Sequence, residues 1–192
     1  MTGSAAERHV HSDVFRQVMG TLASGVAVVT TVDTDGRPRG LTTTAVTSVS
    51  LDPPLLLVCV GSQSRTLPAI QRAGRFTVNL LDSTFPAVAL HFASSLDDKF
   101  ADIAWRAGAN DCPVLHEHAL AWAECHTERE VDAGDHVVFV GRVHDGNLAG
   151  TGRLPLTYFR GRYGGWSPSD TSHVAAVPPT SVHLESQRGD AR

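Results

Sequence analysis

From Ser12 onward, Val14, Phe15, Val18, Met19 and Leu22 recur at the spacing of one helical face. Ser12 is a candidate N-cap, and Gly25 is placed to end the helix. The pattern then changes. Val26 to Val32 is β-branched and short, and Asp33-Thr34-Asp35-Gly36 carries hairpin-turn chemistry. Arg39 to Ser50, rich in Thr, Val and Ser, predicts one long strand. Asp52-Pro53-Pro54 stops it, because proline donates no ladder hydrogen bond. Leu55 to Val60 is apolar at every position, as in a strand covered on both faces. A short helix from about Thr66 to Ala73, a strand from Phe76 to Leu81 and a second helix follow. That helix is capped by Ser83, tolerates Pro86 in its first turn and turns Val88, Ala89 and Phe92 inward.

In the second half, Leu120, Trp122 and Glu124 alternate with small residues in a strand that extends toward Val131. Gly134-Asp135 turns the chain, and His136 to Val143 returns with Val137, Phe139, Gly141 and Val143 on one face. Leu156 to Arg160 closes the series. Six or seven strands with short hairpins, two or three helices and no regular β-α-β alternation predict a closed antiparallel barrel with helical decoration. The folded unit is expected over residues 12–166. Tails at 1–11 and 167–192 hold too many small, polar and breaker residues to bury much.

Composition narrows the function. The chain has 192 residues, 42% of them hydrophobic, which suits one folded domain rather than disorder. Sixteen Lys and Arg against twenty Asp and Glu give a net charge of −4, the wrong sign for a general nucleic-acid binder. No apolar run is long enough to cross a bilayer, and residues 1–11 lack the charged and apolar regions of a secretory signal. Cys59, Cys112 and Cys125 form no CxxC pair, which points away from a disulfide scaffold and toward a soluble cytoplasmic protein.

Common chemical signatures are missing: there is no GxxxxGK[ST] and no GxSxG, and Gly150-Thr151-Gly152 leads into Arg153-Leu154-Pro155, where a Rossmann helix cannot start. Cys112, His116, His118, Cys125 and His126 meet none of the tight zinc spacings, so surface histidines and core thiols are the plainer reading and no metal is expected. Two adjacent segments carry more. Gly40 to Pro54 is extended, with short side chains and many hydroxyls, so a flat ligand can lie close to its backbone; a Thr-rich edge strand is the bland alternative. Gly61-Ser62-Gln63-Ser64-Arg65-Thr66 then opens a helix with hydroxyls, amides and an arginine, the donors a phosphate needs, although Ser64 can also be a plain cap.

With these pieces in place the chain resembles the flavin reductase family with the FMN-binding split barrel, the reductase components of two-component flavin monooxygenases. The resemblance rests on Ser24-Gly-Val-Ala-Val-Val-Thr-Thr31, Gly40-Leu-Thr, Ser48-Val-Ser-Leu-Asp-Pro-Pro54, Ser64-Arg65-Thr66 and Gly74-Arg-Phe-Thr-Val-Asn-Leu-Leu81. Phe92-Ala, Asp98-Lys-Phe100, Gly134-Asp-His136 and Pro155-Leu-Thr-Tyr-Phe-Arg-Gly-Arg-Tyr163 complete it, in order, over nearly all of residues 12–166.

The resemblance implies a mainly β, antiparallel, Greek-key-like split barrel with a few short helices. It implies an NAD(P)H:flavin oxidoreductase, a homodimer, that passes reduced FMN or FAD to a monooxygenase. Thr43, Thr44 and Ala45 would lie along the isoalloxazine, with Val49 and Ser50 at its polar edge. Val60, Ser62, Ser64, Arg65 and Thr66 would take the ribityl chain and phosphate, and Phe92 and Lys99 would close the site. His136, as the candidate catalytic residue, would border the nicotinamide with Arg160, Arg162 and Tyr163, reaching the ring from the side away from the phosphate. Relatives carry an aromatic residue near Val46 or Thr47 that this chain lacks, which implies looser flavin retention. A flavin-binding module or redox sensor without free reductase turnover is the alternative, because the fold alone does not fix function.

Overall fold

A computed structural model describes residues 9–150 and 152–166. Of the tails expected at 1–11 and 167–192, residues 1–8 and 167–192 lie outside the described residues. Chain order runs α1 (Ser12–Met19), β1 (Ser24–Gly25), β2 (Ala27–Val32), β3 (Pro38–Thr43), β4 (Val46–Leu51) and β5 (Pro54–Gly61). It continues through α2 (Leu67–Ala73), β6 (Arg75–Leu81), α3 (Pro86–Ala93), β7 (Arg106–Ala107) and β8 (Pro113–Val114). The long strands β9 (Ala119–Ala133) and β10 (His136–Leu148) follow, then β11 (Leu156–Phe159) and β12 (Arg162–Gly165).

The main sheet has seven strands in the order β3-β2-β6-β9-β10-β5-β4. Its two edge strands are consecutive in the chain, so the sheet curls round to bring them together. One long strand was expected over Arg39 to Ser50, but the chain turns a corner at Thr44-Ala45 and its halves pair with different neighbours, β3 with β2 and β4 with β5. The cause is local. The Thr43 hydroxyl accepts the Ala45 amide at 3.0 Å, a side-chain bond that competes with the ladder. The corner is tied to β5 where the Cys59 amide donates to the Ala45 carbonyl at 3.0 Å.

Strand β2 explains the apolar run beginning at Val26, because both of its faces are covered. Ala27 and Val29 join Val58, Val60, Ile70, Phe76 and Phe139 inside the barrel. Val26 and Val28 pack outside it with Val88, Ala89, Phe92, Phe100, Leu115 and Leu156, under α3. Strand β5 alternates instead: Leu56, Val58 and Val60 are buried while Leu55, Leu57 and Cys59 are half-buried. A polar layer knits the 108–115 segment to the barrel. The Asn79 side chain donates to the Val28 carbonyl and accepts the Leu115 amide, while buried Glu124 accepts the Asn110 amide at 2.9 Å.

Three expectations are corrected. Helix α1 ends at Met19 with Gly20 as its C-cap, five residues before Gly25, because the Gly20 amide closes onto the Arg16 carbonyl. Its N-cap is His11, not Ser12, and its apolar face is not buried: Phe15 is 54% and Val18 60% exposed. Helix α3 starts at Pro86 with Phe85 as N-cap rather than Ser83, whose amide instead donates to the Leu154 carbonyl. Strand β12 was not anticipated; it folds back on β11 through Arg160 and Gly161, whose positive φ values of 48° and 79° mark a two-residue hairpin turn.

Gly141 sets how closely β10 approaches the barrel centre. A Cβ there would lie 2.6 Å from the Phe76 ring and 2.9 Å from the Cys125 Cβ. Gly141→Ala is therefore expected to lower the unfolding free energy by about 1–3 kcal/mol. Urea denaturation checks this against Gly25→Ala, where a Cβ meets nothing within 4 Å and stability should stay within about 0.5 kcal/mol of the parent.

Candidate functional site

A cleft of about 440 Å³ opens beside the end of β5, walled by residues 38–42 of β3, residues 63–66 and the end of α3 with its following segment. Its floor is Phe92, buried and packed edge-on to Phe100 at 5.0 Å. Gly40 is what allows this, since a Cβ there would stand 2.8 Å from the Phe92 ring. Thr66 joins the two walls by donating its hydroxyl to the Gly40 carbonyl at 3.1 Å.

The cleft is cationic. Arg39 is neutralised by Asp33, which it meets with two nitrogens at 3.0 and 2.8 Å. The Arg37 amide and Arg39 together hold the Asp33 carboxyl below its ordinary range. Two cations remain. Arg65 spans to the segment after α3, donating to the Asp97 carboxylate and the Ser95 carbonyl. Lys99 donates to the Phe92 carbonyl at 2.7 Å and the Gly40 carbonyl at 3.4 Å. Burial, and then the nearby Arg65 charge, push its ammonium below the usual lysine range. Among the described residues the Gln63 and Arg65 amides make no hydrogen bond. Two cations and two free amides facing one cleft are the donor set that a phosphate monoester fits.

The other expected residues lie along β5. Thr43 donates to the Cys59 carbonyl at 3.4 Å, and Thr44 and Ala45 are exposed at the corner. Val60 points into the core, so only its backbone can meet a ligand. Ser62 donates its amide to the Asp135 carbonyl, and the Ser64 hydroxyl accepts the Thr66 amide. Ser64 is not the helix cap, since Thr66 occupies that position. Toward the far end of β5 a bulge between Ser48 and Ser50 leaves Val49 without a register partner. From Leu55 to Gly61 the strip runs about 20 Å.

His136, far in sequence from residues 61–66, pairs with Gly61 and so lies next to that segment. Its Nδ1 lies 2.7 Å from Asp135, and this hydrogen bond, then the imidazole charge, holds the Asp135 carboxyl low. Nε2 faces the end of β5, 3.8 Å from where a Gly61 Cβ would be. Arg160, Arg162 and Tyr163 do not join it. They line a separate depression of about 540 Å³ on the β11–β12 hairpin. Asp97 lines the cleft although no sequence signal marks it, because it sits in a loop with no pattern of its own, and Gly40 acts there through a missing side chain. Burial pushes the Cys112 thiol up to about 11 and the Cys125 thiol up to about 12.

The fold is an antiparallel barrel, and its cleft between β3, residues 63–66 and the end of α3 carries donors that suit a phosphate group. The chain belongs to the flavin reductase-like family, whose domain model, described as "Flavin reductase like domain", matches residues 19–167. It is 41% identical over 169 residues to a flavin reductase (NADH) of Kitasatospora aureofaciens, covering 88% of each chain. A flavin reductase (NADPH) of Lentzea aerocolonigenes is 38% identical over 161 residues, 83% of this chain and 93% of that one. The crystal structure of nitrilotriacetate monooxygenase component B from Mycobacterium thermoresistibile superposes with a TM-score of 0.80 at 35% identity, covering 90% of this chain and 96% of that one. The chain is accordingly an oxidoreductase of the flavin reductase class, with the split-barrel fold of these relatives.

Proposed function

We propose that this protein reduces FMN or FAD at the expense of NADH or NADPH and releases the reduced flavin to a monooxygenase. The observation that carries the reading is the pair Arg65 and Lys99 lining one cleft at the end of β5, beyond the exposed Thr44-Ala45 corner that Cys59 holds. A flavin bound there supplies the redox centre. The chain's part is to bind and orient. Arg65, Lys99, Ser64 and Thr66 hold the phosphate, the Ser62 to Gln63 segment faces the ribityl chain, and the exposed corner at Thr43, Thr44 and Ala45 backs the ring. Val49 and Ser50 meet the ring's polar edge. His136, fixed through Nδ1 by Asp135, presents Nε2 beside the flavin, where it positions the nicotinamide. Arg160, Arg162 and Tyr163, which line their own depression on the β11–β12 hairpin, are left out of this arrangement.

We further infer a homodimer. The apolar face of α1 is exposed in the single chain, as are Leu51 at 96% and Leu148 at 73%. Uncovered surface of that kind favours a second copy. The relatives' pairing with monooxygenases supports a monooxygenase component as recipient. No helix among the described residues is long and apolar enough to cross a membrane. We place the activity in the cytoplasm, where nicotinamide nucleotides are regenerated.

Mixing the protein with NADH or NADPH and FMN or FAD, and following nicotinamide oxidation, tests the activity. Turnover is expected, and its absence in all four pairings would overturn the proposal. The Lys99 shift gives a pH test. A bound phosphate favours the charged amine, whose pKa lies below the usual lysine range. FMN affinity should therefore fall as pH rises, starting below that range. In Lys99→Met this alkaline limb should flatten while affinity at neutral pH drops, because Arg65 stays charged throughout. His136→Ala should lower kcat/KM for the nicotinamide about tenfold or more, with the flavin dissociation constant changed less than about threefold. Joint loss of flavin and thermal stability with normal kinetics in excess flavin would make His136 structural.

A further inference from the structure

We propose that Asp97 is a built-in competitor for the flavin phosphate, so that the Ser95–Asp97 segment acts as a latch on Arg65 that speeds release of the reduced flavin. The inference rests on the reading of this cleft as the phosphate site. Arg65 spends its side-chain hydrogen bonds on this one segment: the Asp97 carboxylate, the Ser95 carbonyl and, at 3.4 Å, the Leu96 carbonyl. The carboxylate thus holds the place beside the guanidinium that a phosphate oxygen would take.

The segment is built to let go. Its two ends are fixed. On one side the Ser94 hydroxyl and amide both donate to the His91 carbonyl at the end of α3. On the other, Asp98 accepts the Phe100 and Ala101 amides, and Phe100 is buried against Phe92. Between these anchors, the hydrogen bonds that tie residues 95–97 to distant parts of the described fold all come from Arg65. Leu96 otherwise bonds only to neighbouring Ser94. The Asp97 side chain is 92% exposed and that of Arg65 58% exposed, so water screens the pair and holds it weakly.

Charge decides the competition. Lys99 lies close enough to Arg65 to feel its charge, and it has only carbonyl partners. A phosphate with nearly two negative charges is attracted by both cations, whereas the Asp97 carboxylate offers one charge to Arg65 alone. Flavin phosphate displaces the carboxylate on entry, and the returning carboxylate shortens the stay of the product. A donor of reduced flavin needs this balance, because a phosphate held without competition stays bound.

The test compares FMN with riboflavin, which shares the ring and ribityl chain but lacks the phosphate. Asp97→Asn keeps the shape and removes the charge. It is expected to tighten FMN binding by roughly three- to tenfold and to slow FMN dissociation in stopped flow, with riboflavin affinity unchanged. The gain should shrink as salt is raised and vanish in the Arg65→Ala background. With FMN in excess, KM for FMN and kcat should fall together. FMN affinity that is unchanged or weakened in Asp97→Asn, while Arg65→Ala still costs FMN and spares riboflavin, would overturn the latch and leave the phosphate site standing. Equal effects of Arg65→Ala on FMN and riboflavin would overturn the phosphate site and the latch with it.

Discussion

The barrel closes without pairing its last two edges, and the site follows from that constraint. Strands β3 and β4 sit at opposite ends of a seven-strand order yet are joined by two residues. Had they formed a ladder, their amides and carbonyls would be used up, and the barrel would present side chains only. Because they part, polar backbone at the corner needs other partners, since an unpaired buried amide or carbonyl is costly. Cys59 supplies one through the Ala45 carbonyl, and the Thr43 hydroxyl supplies another through the Ala45 amide. The bulge at Val49 interrupts the β4–β5 register lower down.

The second layer adds charge beside this corner. Strand β2 buries both faces and so demands a cover outside the barrel, which α3 and the 100–115 segment provide. Phe92 and Phe100 are that cover where it meets β3, and Gly40 lets them come close. Lys99 stands between them in sequence and is half-buried because of it. Its lowered pKa is therefore a consequence of core packing rather than of a dedicated catalytic arrangement. The Asn79, Asn110 and Glu124 bonds have the same origin, as they fix the 108–115 end of that cover to the barrel.

Elements carried by their own pattern were legible in the sequence. The β-branched run at Val26 to Val32, the apolar Leu55 to Val60 and the Gly134-Asp135 hairpin need no distant information, and each forms near its expected bounds. The misplaced features depend on contacts between segments far apart in sequence. Nothing within Arg39 to Ser50 shows that one half will join β2 and the other β5. Only the Thr43 hydroxyl, one of many in that stretch, marks the corner. Helix α1 was read correctly as amphipathic, yet periodicity reveals a face and not what covers it. His136 illustrates the converse. It is far along the chain from residues 61–66, but antiparallel pairing of β10 with β5 sets it opposite Gly61.

Arg65 and Lys99 are unlike partners for one anion, and the difference shapes how the cleft behaves. Arg65 is more than half exposed, so its attraction is weakened by solvent and salt but costs little to maintain. Lys99 has given up part of its hydration to carbonyls that offer dipoles and no charge. A negative group entering the cleft restores to Lys99 the stabilisation that burial removed, so the buried cation gains more from the ligand than the exposed one. Steering and affinity therefore divide between two residues. In the proposed reading the outer guanidinium draws the anion in and exchanges it with Asp97, and the inner ammonium is the group whose ionisation a bound phosphate would support.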